Sequence, residues 1–168
     1  MDLIDRSAAL RAVRREATLL PPELKGCVMC GLVACAPRTH VLARTRRSIA
    51  VLARFGVRRG HILVVMRRHV ESWEELTAVE WKDAQGLAWI AARAVERALG
   101  ASRVYVAALG SVVQRPMTFP HHHLHVVPTY RRDRRDRPAA VFTWQNGVVV
   151  HDEAEARVLS RELRAAWS

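Results

Sequence analysis

The chain reads as an α+β protein: an antiparallel sheet with one long helix packed on it, and extra helices at the N and C termini. Three observations predict this class. Short β-branched and aliphatic runs lie before and after one long amphipathic segment, an order that suits α+β and not alternating βαβ units. That segment repeats apolar residues at helical spacing, at Leu76, Ala84, Leu87, Ala91, Val95 and Ala98. Finally, 168 residues, half of them hydrophobic, suit one domain, 1–168, with a full core.

The elements follow in order. Residues of about 3–20 mix Leu, Ile, Val and Ala with Arg and Glu at helical spacing, and Pro21-Pro22 ends that helix. Cys27-Val28-Met29-Cys30-Gly31 is expected to be a turn or loop. Ser48–Phe55 and His61–Met66 read as buried strands, separated by a turn at Arg58-Arg59-Gly60. Ser72-Trp73-Glu74-Glu75 has the spacing of a capping box and is expected to start the long helix. Gly100 is placed to end it in a left-handed conformation. Arg103–Leu109 is a third strand, and a fourth begins near His121. Asn146-Gly147 within Val141–Val150 signals a hairpin, and Asp152 is a candidate cap for a final helix. The core is thus expected over about 27–130, with a C-terminal hairpin and helix over about 139–167.

The formal charge is +11, from 27 basic and 16 acidic residues, and among the basic ones only Lys25 and Lys82 are lysine. An anionic partner is one reading: a nucleotide, polyphosphate or nucleic acid. Codon usage in a GC-rich genome is the other. No apolar run reaches the length of a membrane span. The first residues lack the basic and apolar stretches of a secretory signal, and three clustered cysteines suit no disulfide framework. A reduced, cytoplasmic setting is expected.

The informative segment is His121-His122-His123-Leu124-His125-Val126-Val127-Pro128. On a strand, His121, His123 and His125 share one face, while His122, Leu124 and Val126 take the other. The apolar tail argues for a core strand and against a solvated histidine run. Neutral imidazole is a good nucleophile near neutral pH. A second ring can donate to a phosphoryl oxygen, and a nucleophile bound to phosphorus divides one hard displacement into two easier ones.

This segment resembles the His-φ-His-φ-His-φ-φ signature of the histidine-triad superfamily, where φ is apolar. Gly60-His61-Ile62-Leu63-Val64-Val65, trailed by His69, and Cys27-Val28-Met29-Cys30 resemble two further family motifs in the same order. The resemblance covers roughly residues 27 to 130. It implies a HIT-like fold and a homodimer. It also implies hydrolysis or transfer of a nucleoside monophosphate, by attack at the α-phosphate through a nucleotidyl-histidine intermediate. His123 would be the nucleophile and His125 would contact the phosphate. His61 would complete the set, and Thr118 would supply the hydroxyl before the triad. Nucleotide binding would fall to Val51, Ala53, Arg54 and Arg115.

Several positions depart from the family pattern. His122 stands at an apolar position, and Met66 replaces the proline after the Leu-Val strand. The carboxylate that often binds ribose is Ala53, which has no acceptor. Poor discrimination of ribose from deoxyribose is therefore expected unless another group takes over.

Cys27-x-x-Cys30 is a zinc signal that needs two more ligands. The resemblance supplies His69 and His121, giving a structural zinc site. Two other readings stay open: a local knuckle of Cys27, Cys30, Cys35 and His40, which would imply single-stranded nucleic-acid binding, or small buried thiols. His40 and His151 are expected at the surface. The arginine-rich stretch 131–137 could grip phosphates or simply be a solvated loop. Trp81 and Trp89, eight residues apart, lie on broadly similar helix faces and hint at an interface. The competing functions are an enzyme that removes adenylate from nucleic-acid ends and a non-catalytic nucleotide- or partner-binding protein.

Overall fold

The computed structural model describes residues 2–24, 26–36, 39–109, 119–130 and 136–168. Five strands form an antiparallel sheet: β2 (Val41–Arg44), β3 (Ser48–Leu52), β5 (Ile62–Met66), β6 (Arg103–Ala107) and β7 (His123–Thr129). Their order across the sheet is β2-β3-β5-β7-β6. Helix α3 (Ala78–Leu99) covers one face. Strand alternation sends Ala50, Leu52, Ile62, Val64, Leu124 and Val126 to that face, against Leu87, Ala88, Ala91 and Val95 of α3. Helix α5 (Glu153–Ala165), capped by Asp152 as expected, adds Leu159 and Leu163 to the same cluster. The other face carries Ile49, Val51, Leu63 and Val65, and with them the histidines.

That second face is covered by the N-terminal segments. Helix α1 (Arg6–Thr18) is capped by the Asp5 side chain, which accepts from the amide of Ala8 at 2.8 Å. The helix is shorter than expected, because Asp2–Ile4 extends as β1 and pairs with β8 (Val148–Val150). Helix α2 (Val28–Val33) stands where a loop was expected. Cys27 is its N-cap, its Sγ accepting from the amide of Cys30 at 3.4 Å.

Two further expectations are corrected. Ser72 and Glu75 do bond as in a capping box, the Glu75 amide donating to Ser72 Oγ at 3.3 Å, but they close an isolated turn. Arg68 Nη2 takes the Glu75 carbonyl at 2.6 Å, a carbonyl that a continuing helix would use internally. The long helix starts at a second capping box, Thr77 and Glu80. It ends as expected at Gly100, with φ 63°. Asn146-Gly147 makes no hairpin. Pro138–Val141 is a short helix, α4, followed by a 3-10 turn over Trp144–Asn146. Val141, Phe142 and Trp144 bury against Val57 and Val127 instead of pairing as a strand. β8 then lies between β1 and β4 (Phe55–Gly56) in a separate three-stranded sheet.

Candidate active site and metal site

The alternation read from the sequence places the triad as expected. His123 and His125 leave β7 on the face away from α3, while His122 packs between Trp73 and Trp81 with ring centroids at 4.5 and 6.0 Å. His61, just before β5, joins them. His61 Nε2 lies 3.0 Å from His125 Nδ1, and His125 Nε2 lies 3.2 Å from His123 Nε2.

The ends of this chain of rings fix every proton in it. The Val57 amide can only donate, and it points at His61 Nδ1 at 3.3 Å. The His121 carbonyl can only accept, and it faces His123 Nδ1 at 2.7 Å. A neutral imidazole has one donor and one acceptor nitrogen. His61 therefore carries its proton on Nε2 and donates to His125 Nδ1. His125 carries its own on Nε2 and donates to His123 Nε2. His123 holds its proton on Nδ1, leaving a lone pair on Nε2.

The rings are neutral for a physical reason. Burial, and then the charge of His123, pushes His61 down to about 3. Burial lowers His125 well below the usual range, with His123 and His61 adding to it. Burial also lowers His123, opposed by its bond to the His121 carbonyl.

These three histidines line a cavity of about 770 Å³. Its walls are largely apolar, with Leu10 and Val13 of α1, Met29 of α2, and Phe142 and Trp144 of the C-terminal segment. Arg6, Arg14, Arg15 and Arg54 also line it, against one carboxylate among the described residues, that of Glu16. Positive charge at the cavity thus comes from arginines and not from the histidines. The volume falls within the range of small-molecule and cofactor sites.

Cys27, Cys30, His69 and His121 form a second cluster, their ligand atoms all within 4.8 Å of one another. Sγ of Cys30 lies 3.2 Å from His69 Nδ1 and 3.4 Å from His121 Nδ1, and Cys27 Sγ lies 3.5 Å from His121 Nδ1. Bonds of about 2.3 Å to sulfur and 2.0–2.1 Å to nitrogen at a tetrahedral angle put such atoms about 3.5 Å apart. Both rings are oriented from behind: His69 Nε2 meets Glu71 Oε1 at 2.9 Å, and His121 Nε2 meets the Met66 carbonyl at 2.8 Å. Each Nε2 then holds the proton and each Nδ1 offers its lone pair inward, the usual support for a metal-ligating histidine. Burial, and then the neighbouring Cys27, pushes the Cys30 thiol up to about 12, a shift that a cation between the sulfurs would oppose. The donor set fits a metal ion of zinc's type.

The local knuckle is not assembled. Cys35 accepts from Arg44 at 2.6 Å and His40 bonds Glu153 at 3.3 Å. His40 and His151, both expected at the surface, are half-buried, with side chains 15% and 5% exposed. Ala53 lines the cavity, as does Arg54, which is ion-paired with Glu16. Val51 is buried in the cluster with Met29 and does not line it. Thr118, Arg115 and residues 131–135 of the arginine-rich stretch lie outside the described residues. Trp81 and Trp89 part ways: Trp81 packs on the core, while Trp89 is 60% exposed. Sequence reasoning missed Glu71 as the support for His69, although its place two residues on was a local signal. It also missed Glu16 and the cavity walls of α1, for which no local signal exists.

A family model described as "HIT domain" matches residues 36–132. An uncharacterized HIT-like protein of Saccharolobus solfataricus is 29% identical over 111 residues, which span 64% of this chain and 76% of that one. The fold is shared with a Zn-bound histidine triad family protein from Mycobacterium smegmatis, at 22% identity and TM-score 0.66, covering 84% of this chain and 92% of the other. It is shared also with a Hit-like protein involved in cell-cycle regulation from Bartonella henselae, at 16% identity and TM-score 0.67, covering 83% and 94%. Among the described residues, no helix is long and apolar enough to cross a membrane.

Proposed function

This chain belongs to the HIT domain family, whose model matches more than half of it, and from that membership we propose that it is a nucleotide hydrolase or nucleotidyl transferase acting at an α-phosphate through a covalent intermediate on His123. The observation that carries this reading is the order of ring protons, which leaves a lone pair on His123 Nε2 beside a donor on His125.

In the first step, His123 Nε2 attacks the α-phosphorus. The bond to the leaving group breaks, and its electron pair departs with that group. The Nε2–H of His125 turns from His123 to a phosphoryl oxygen and stabilises the charge that develops there. In the second step, water or another acceptor attacks the same phosphorus. The N–P bond breaks, its electron pair returns to Nε2, and the acceptor's proton passes to solvent. The arginines around the cavity attract the anionic substrate.

Zinc is the metal that the Cys₂His₂ set fits, and with four protein ligands its role is structural. It would hold the ring of His121, the residue whose carbonyl fixes the His123 proton. A homodimer is part of the same proposal. Trp89 and Val79 on α3, and Val106 on the edge strand β6, are exposed apolar side chains that a second copy would cover.

Turnover on a panel of dinucleoside polyphosphates and nucleoside phosphoramidates tests the reading. His123→Ala is expected to lose at least about 1,000-fold in turnover while nucleotide binding survives. Near wild-type turnover in that variant, on a substrate the wild type consumes, would show that His123 is not the nucleophile. Salt-steep binding to DNA or RNA together with release of adenylate would move the substrate to nucleic-acid ends.

A further inference from the structure

The turn that leads into His61 is gripped from outside by one guanidinium. Arg58 Nη1 donates to the Val57 carbonyl at 2.7 Å, while Nε and Nη2 both donate to Asp136 Oδ1, at 3.2 and 3.1 Å. The Asp136 carbonyl accepts from the Tyr105 hydroxyl at 3.1 Å. The Arg58 and Asp136 side chains are 17% and 12% exposed. A guanidinium is a rigid fork of donors, and this one joins the turn to a residue 78 positions away. Asp136 lies near the end of the arginine-rich stretch, outside residues 36–132.

The aim of one amide depends on that turn. The His61 backbone is fixed on both sides: its carbonyl accepts from the Ala53 amide at 2.8 Å, and its amide donates to the Arg58 carbonyl at 3.2 Å. The Val57 amide must reach back across the turn to His61 Nδ1, 3.3 Å away. The amide and the carbonyl of one residue flank the same Cα. The Val57 side chain is buried with Val127 and Val141, and its carbonyl is held by Arg58. With both held, the amide keeps its direction.

We infer that Arg58, anchored by Asp136, is a positioning residue: its grip on the Val57 carbonyl keeps the Val57 amide on His61 Nδ1 and so keeps the His61 proton on Nε2, facing His125. The effect on turnover rests on the nucleotide reading of the site; the place of the proton does not. The segment after the sheet thus acts on the triad through backbone atoms, with no contact to a substrate.

Arg58→Met removes every donor and keeps a long apolar stem. In the wild type, ¹⁵N spectra should place the His61 proton on Nε2. In Arg58→Met the proton should be shared with Nδ1, and kcat on a dinucleoside polyphosphate should fall at least about tenfold with KM within about threefold. Asp136→Ala is expected to shift the proton in the same direction. Asp136→Asn, whose amide oxygen still accepts from the guanidinium, should restore it. A thermal melt checks that each variant is folded. A pair that only tethers the C-terminal segment would lower the melting temperature in Arg58→Met and Asp136→Ala and leave the His61 proton on Nε2; that result overturns the assignment. Where Arg58→Met does not fold, the comparison of Ala with Asn at position 136 decides in the same way. A wild type that turns over no nucleotide defeats the nucleotide reading, and the ring proton still tests Arg58.

Discussion

In the proposed reaction the relay of ring protons would make His61 a positioning residue, and replacing it separates two roles. His61→Leu removes both of its bonds, the 3.3 Å bond from the Val57 amide and the 3.0 Å bond to His125. Two buried polar groups then lack partners, at about 1–3 kcal/mol each, so stability should fall by about 2–6 kcal/mol. Many domains tolerate such a loss. His125 Nδ1 would no longer be held as an acceptor, and the ring proton could move to it. The donor aimed at the phosphoryl oxygen would then be lost for part of the time. Losing one such donor typically costs about 100- to 1,000-fold in kcat. His61→Gln can still present an N–H to His125 Nδ1 and should keep turnover within about tenfold of wild type. The assay is kcat at saturating dinucleoside polyphosphate beside a thermal melt, with ¹⁵N spectra reporting the protonated nitrogen of His125. A folded His61→Leu variant that turns over within about threefold of wild type would refute the relay. Equal losses in the Leu and Gln variants would mean that His61 acts in some other way.

Two further outcomes follow from the same geometry. Elemental analysis should find about one zinc per chain, lost in His69→Ala and Cys30→Ser but kept in Cys35→Ser and His40→Ala; loss in the last pair and retention in the first would contradict the assigned ligands. Stability should fall with acid through His61. The folded ring titrates at about 3 and the unfolded one at about 6.5, so the unfolded chain binds the extra proton between those values. Stability is full above about pH 6.5 and drops by about 1.4 kcal/mol per unit below it. Denaturant unfolding at pH 7 and pH 5 should therefore show a loss in wild type about 2 kcal/mol larger than in His61→Leu, and the same loss in both would contradict this account.

What could be read from the sequence was what local periodicity encodes. Alternation along His121–Val127 placed the triad rings on one face and Leu124 and Val126 on the other, because a strand admits no other arrangement of a core-grade tail. Gly100 announced the end of α3, where only a left-handed residue fits. The start of α3 was not legible, since Ser72-x-x-Glu75 and Thr77-x-x-Glu80 are equivalent as patterns. Arg68 decides between them from outside the segment. The pairing of Asp2–Ile4 with Val148–Val150 joins the two ends of the chain, and no periodicity reports it. The cavity walls of α1 and the carboxylate of Glu16 were hidden for the same reason. Those segments meet residues far away in sequence, whereas the Val57 amide and the His121 carbonyl lie only four and two residues from the rings they fix but are backbone atoms that no residue type reveals.

The proposed reaction turns on a phosphorus–nitrogen bond at His123, and the mass of the quenched protein reports that bond. Wild-type protein mixed with a dinucleoside polyphosphate and quenched in the first turnovers should show an intact-mass increase of one nucleoside monophosphate, with peptide mapping placing it on His123. His123→Ala should show no adduct. An adduct mapped to another residue, or full turnover with no adduct at any quench time, would rule out His123 as the nucleophile.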